Sequence, residues 1–427
     1  MTRTYIVPGR VELVGKHVDY GGGRSLTCAI GFAMRATARP IGERVLRVRQ
    51  RGSRDMVEVP IPPPSQNSPS SSAAPPPRAR WSPYVTAVAR RIGRDFPHAA
   101  GGVDVQIAST LPAAAGLSSS TALTIVLARA VVDATGLAAN AVFAEYAGGS
   151  IAFAEYVAAI ETGAPHGPFP GDAGVGVRGG AQDHVAILCA REGMVGQFSY
   201  MPVREEGWAP WPADHVLAIG VSGVRASKTG NVRADYNRAA DAVRWLVRQW
   251  NQITGRDDAT LAAALAGSDD APDRIGTIAR NARGAPVPAE YLVRRLAQFR
   301  EECDVIVPGV ADAFRARDVA RLGVLVDRSQ ALAEHALENQ VPETIALARL
   351  ARAHGAVAAS AFGAGFGGAV WAMVPRDAAE PFIAGWQAAY TEQFPSRSSR
   401  SRFLLTKPGA PAGSGGAHGA LSSPAPR

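Results

Sequence analysis

The chain has 427 residues, 47% of them apolar and 19% charged, with a net charge of +8. A single core stops growing near roughly 250 to 300 residues, so two domains are expected. No apolar run reaches the about 18 residues of a membrane span and no basic, then apolar, leader opens the chain, which points to a soluble, untargeted protein of the cytoplasm. The three cysteines, Cys28, Cys189 and Cys303, are too scattered for a disulfide framework or a metal site. Basic residues are spread along the whole chain without an aromatic-studded patch, which argues against a nucleic-acid partner. Of the 45, only Lys16, Lys228 and Lys407 are lysines.

In chain order, residues 5–14 alternate as a strand and lead into a loop crowded with Lys16, His17, Asp19 and Gly21 to Gly23, with Arg10 and Glu12 just upstream. Polar groups of both signs at a strand end suit a small polar ligand, and equally a turn beside a surface arginine. Strand character returns over 45–59. Residues 60–80 hold eight prolines and five serines and read as a solvent-exposed insertion. Within 103–109, Val103, Val105 and Ile107 alternate with Asp104 and Gln106, and 121–134 is an apolar helical run closed by Gly136. Between them lies Gly116-Leu117-Ser118-Ser119-Ser120. A glycine and three serines at a helix start make a phosphate cradle, because the first-turn N–H groups lack partners and the helix dipole is positive there; the bland alternative is that the serines cap the helix. Further strands are expected at 215–221, 369–374 and 402–406, helices dominate 234–353, and Gly, Ala, Pro and Ser from 407 to 427 read as a disordered tail. The result is a mixed α+β chain without internal repeats.

Taken together, the run from Pro8 to Gly23, the Gly116 to Ser120 loop and the glycine loop Gly363-Ala364-Gly365-Phe366-Gly367-Gly368 resemble the signatures of galactokinase and of the superfamily it shares with homoserine, mevalonate and phosphomevalonate kinases, the GHMP kinases. The resemblance covers most of the chain. It implies an N-terminal domain over 1–205 like ribosomal protein S5 domain 2, a ferredoxin-like C-terminal domain over 206–406, and substrates in the cleft between them. It also implies transfer of the γ-phosphoryl of ATP, with Mg²⁺, to the anomeric hydroxyl of galactose or a related monosaccharide. Asp183 would be general base or orienter, with Arg10 between it and the phosphate. Ser120 and Glu161 would hold Mg²⁺. Trp81 and Tyr84 would bracket adenine, and Gly116, Ser118, Ser119, Ser120 and Gly365 would line the nucleotide site. His17, Asp19, Gly180 and Tyr236 would bind the sugar.

Two positions depart from the family. Lys16 stands where galactokinases have a glutamate that contacts the sugar's hydroxymethyl end; it either favours a sugar with a carboxylate there, such as a uronic acid, or turns outward to solvent. Glu12 replaces an asparagine and either competes for Arg10 or pairs with Lys16. A kinase for another sugar such as arabinose, or a non-catalytic sugar and ATP sensor, is the alternative reading. The sequence is silent on oligomeric state.

Overall fold

Strand β1 (Arg3–Val14) pairs antiparallel along its length with β2 (Arg24–Ile41), and the register slips between Pro8 and Arg10. Such a slip re-aims the side chain that follows it, here Arg10. This computed structural model describes residues 1–62, 79, 81–112, 115–225 and 232–415, the side chains of 232–236, 414 and 415 excepted. β3 (Val45–Gln50), β4 (Met56–Pro60) and β5 (Gly102–Ser109) extend the sheet on one side of β2. β6 (Met194–Ser199) and β7 (Arg204–Pro210) join it at the other end of β2. β3 and β5 are parallel, so the sheet is mixed. Helices α1 (Ser82–Asp95), α2 (Ser119–Thr135), α3 (Ala141–Ala147), α4 (Ser150–Thr162) and α5 (Gln182–Leu188) share its core. α2 is apolar on nearly every face and accordingly buried, from Thr121 through Ala128 without a break.

A second, antiparallel sheet has β8 (His215–Val221) between β11 (Arg402–Thr406) and β10 (Ala369–Pro375), with β9 (Ala358–Ala361) outside β10. Alternation divides its residues: Leu217, Ile219, Trp371 and Met373 enter the core of the first sheet, whereas Ala218, Val370 and Ala372 pack on α12 (Pro342–Ala353) and α13 (Ala379–Gln393). A helical layer stands apart with its own core: α6 (Val232–Thr254), α7 (Leu261–Leu265), α8 (Ala271–Arg280) and α9 (Ala289–Glu301). Val18 and Tyr20 belong to that core, which anchors the loop after β1 in the layer. In the chain, α10 (Val307–Ala316) and α11 (Val319–Leu332) lie between that layer and α12, and π-helical turns follow α9 and α11.

Three sequence expectations need correction. β7 crosses the expected boundary at 205, so the chain leaves the first sheet only after Pro210. Ile61, inside the expected insertion, is buried at 2% exposure and Pro60 ends β4; residues 63–78 and 80 lie outside the described residues. The expected tail is ordered from 407 to 415. Pro408 bridges to Ile30, the Ala412 amide donates to the Ile187 carbonyl at 2.9 Å, and β12 (Gly413–Gly415) pairs with β1. Residues 416–427 lie outside the described residues.

Candidate active site

Arg10 and Asp183, 173 positions apart, meet through a 2.7 Å bond from Arg10 Nε to Asp183 Oδ1. The guanidinium is buried, with its side chain 3% exposed, while that of Asp183 keeps 16%. Arg10 also donates from Nη1 to the Gly116 carbonyl at 2.6 Å and lies 5.8 Å from the centroid of the Phe362 ring. Ser118, the residue before α2, has a left-handed backbone (φ 58°) and makes no side-chain capping bond; its hydroxyl donates to Asp183 Oδ2 at 2.7 Å. That decides against capping for Ser118, whose hydroxyl in this arrangement holds the aspartate. Arg10 therefore ties together β1, the serine loop and α5. Non-glycine residues with left-handed backbones also occur in the other two site loops, at His17 (φ 57°) and Phe366 (φ 57°). Strain of this kind concentrates at functional sites.

Arg10 and Asp183 open into a crevice lined also by His17, Asp19, Glu161, Gly180, Gly363 and Ala364. The crevice is open to solvent on one side. His17 Nε2 lies 3.2 Å from the Ala364 carbonyl, which can only accept, so Nε2 carries the proton and Nδ1 accepts from the Tyr20 hydroxyl at 3.1 Å. A Cβ on Gly180 would sit 2.6 Å from Asp19 Oδ2, so only glycine fits beside that carboxylate. Asp19 Oδ2 also accepts from the Gln182 amide at 3.4 Å. The Tyr236 side chain lies outside the described residues.

On the other side of the α2 N-terminus, Trp81, Tyr84, Ser119 and Ser120 line a cavity of about 310 Å³, with Met34, Ile107 and Leu123 among its apolar walls. Such a volume and lining suit a small planar ligand. Ser120 is linked to Glu161 through Thr124, whose hydroxyl lies 3.1 Å from the Ser120 carbonyl and donates to Glu161 Oε1 at 2.8 Å. Within the glycine loop, Gly363 and Ala364 face the crevice, but Gly365 packs on Asn339. A Cβ there would meet the Asn339 carbonyl at 2.3 Å, and φ is +78°. Asn339 and the positive φ are thus a packing reason for glycine at 365.

Lys16 is corrected outright. It neither lines the crevice nor turns to solvent; it is 1% exposed, and Nζ donates to Ser329 Oγ on α11 at 2.6 Å. Ser329 in turn donates to Glu302 Oε1 at 2.5 Å, and Glu302 Oε2 accepts from the Gly15 amide at 2.8 Å. Burial lowers the lysine's pKa and raises that of Glu302, and their opposite charges partly offset both effects. Glu12 does not bond Arg10 or Lys16; its Oε2 accepts from Gln182 Nε2 at 2.8 Å, and Oε1 has no hydrogen-bond partner among the described residues. Burial, helped by Asp183 and Glu302, pushes the Glu12 carboxyl up to about 8 against the pull of Lys16 and Arg10. Gln182 and His184, on either side of Asp183, line the crevice too and were not anticipated; their only sequence signal is adjacency to the aspartate.

Family models match three stretches: the galactokinase galactose-binding signature over residues 2–40, the GHMP kinases N terminal domain over 83–180 and the GHMP kinases C terminal region over 310–392. The chain belongs to the GHMP kinase superfamily. Within it the likeness is to galactokinases. Galactokinases of Chloroflexus aurantiacus and Chloroflexus aggregans are each 27% identical to it, over 91% of this chain and 88% of theirs. The structure of a Lactococcus lactis galactokinase complexed with galactose superposes with a TM-score of 0.74 at 20% identity, covering 96% of this chain and 95% of that one. L. major mevalonate kinase, in complex with R-mevalonate, shares the fold at a TM-score of 0.54 and 16% identity, covering 96% of each chain. The findings support a galactokinase-like sugar kinase. Among the described residues no helix is long and apolar enough to cross a membrane.

Proposed function

We propose that this protein transfers the γ-phosphoryl group of ATP to the anomeric hydroxyl of galactose or a closely related neutral monosaccharide. The observation that carries the reading is the buried Arg10, which bonds Asp183 and the phosphate-cradle backbone at Gly116 simultaneously. Phosphoryl transfer asks a protein for alignment and for positive charge near the equatorial oxygens. A guanidinium fixed between a carboxylate and a glycine–serine loop meets both demands. Asp183, steadied by Arg10 on one oxygen and Ser118 on the other, is the group that orients the sugar hydroxyl and takes its proton. His17, Asp19 and the small Gly180 form the wall that receives the sugar ring. Lys16 is committed to Ser329 and is not offered to a carboxylate at that wall, so a neutral sugar is favoured over a uronic acid.

Trp81 and Tyr84 are the residues for the adenine, with Ser119 and Ser120 opening α2 toward the phosphates. For Mg²⁺ the donor types fit: a hydroxyl, Ser120, in the first turn of α2 and a buried carboxylate, Glu161, which accepts from Thr124 one turn further along α2, suit an ion that keeps phosphate and water ligands. When bound, the ion supplies charge neutralisation on the phosphates. The test is Asp183→Asn. It should lower kcat by at least about a hundredfold while galactose binding, read by calorimetry, changes by less than about threefold. Turnover close to wild type would remove the aspartate's role.

A further inference from the structure

Next to Asp183 in α5, His184 is 2% exposed, and neither ring nitrogen has a hydrogen-bond partner among the described residues. A buried polar group without a hydrogen bond is unfavourable, so a ring nitrogen beside Glu161 calls for an occupant. The ring is not remote from the chemistry. It lines the crevice with Arg10, Asp183 and Glu161, and its Nε2 lies 3.7 Å from Glu161 Oε1, too far for a direct hydrogen bond. Two ligands each about 2.1 Å from a shared ion lie on the order of 3 to 4 Å apart.

We infer that His184 is a ligand of the divalent cation proposed at Glu161, adding an imidazole to the carboxylate in the protein's donor set. This rests on the phosphoryl-transfer reading, since the remaining positions of the ion fall to polyphosphate oxygens and water. The chemistry follows from the nitrogen. An all-oxygen set suits Mg²⁺, and exchanging one oxygen for imidazole shifts selectivity toward first-row transition ions such as Mn²⁺ and Co²⁺. The ion would give Nε2 the partner that no hydrogen bond among the described residues supplies.

The test uses the full chain with Mn²⁺ and inorganic tripolyphosphate, a probe that mimics the nucleotide's phosphates and contains no nitrogen. Pulsed EPR should show coupling of Mn²⁺ to nitrogen, and uniform labelling of histidine with ¹⁵N should convert that coupling to the ¹⁵N pattern without any mutation. His184→Gln should abolish it and weaken Mn²⁺ binding by on the order of tenfold or more, with a smaller loss for Mg²⁺. Mn²⁺ bound without nitrogen coupling, or coupling that survives in the variant, overturns the inference. A parallel sugar phosphorylation assay with Mg²⁺ separates the two levels. Activity without nitrogen coupling defeats only the role of His184, whereas absence of both defeats the kinase reading as well.

Discussion

Replacing Lys16 with methionine should destabilise the protein by about 3–5 kcal/mol. The magnitude follows from what the ammonium leaves behind. Lys16, Ser329 and Glu302 are 1%, 0% and 0% exposed, and the hydroxyl relays between the two charges by accepting from Nζ and donating to Oε1. Removing the cation strands the Glu302 carboxylate, with Glu12 a second buried acid nearby whose charge Lys16 also offsets. Breaking one side of a buried pair costs far more than exchanging both sides, because the uncompensated charge must stay dry or take up a proton. Lys16→Met/Glu302→Gln should therefore be more stable than Lys16→Met alone. Urea denaturation followed by circular dichroism measures all three chains at equal pH. A Lys16→Met protein within about 1 kcal/mol of wild type, or a double variant less stable than the single, would refute the reasoning.

The buried acid and the chain end give two more outcomes. Because burial raises Glu12 from 4.5 to about 8, the folded chain holds a proton that the unfolded chain has already released across that window. Its contribution is complete below the unfolded value and is lost as pH rises toward 8, a slope worth on the order of a few kcal/mol that Glu12→Gln should flatten. Parallel denaturation midpoints for the two proteins from pH 5 to 8.5 would contradict this. A chain ending after 406 should unfold at clearly lower urea than one ending after 415, because it loses the Gly409 and Ala412 amide bonds and the β12 pairing, each bond worth about 1 kcal/mol. Coincident transitions would show that segment to be dispensable.

How much of this was legible from sequence depended on how local the cause was. Gly116 to Ser120, Arg10 and Asp183 stand out because phosphate chemistry writes a short signal of glycine, serine and charge, and the structure brings them together over 2.7 Å bonds. Lys16 was illegible: its direction is set by Ser329 and Glu302, some three hundred residues on, which no local pattern reveals. His184 is hidden likewise, since its neighbour Glu161 comes from another helix. β2 escaped expectation because Leu26 to Ile30, apolar except for Thr27, shows no alternation and is buried throughout in a strand that pairs with β1, β5 and β6. Residues 407–415 looked disordered because glycine and proline carry no apolar pattern, yet the pairing there is made by backbone alone, which composition does not report.

The most direct measurement is the identity of the product. Incubated with ATP, Mg²⁺ and galactose, the protein should yield ADP and a sugar phosphate whose phosphorus, in ³¹P NMR, couples to the single anomeric proton. Coupling to the methylene protons at the far end of the sugar, or ATP left unconsumed across a panel of neutral monosaccharides, would contradict an active site built around Arg10 and Asp183.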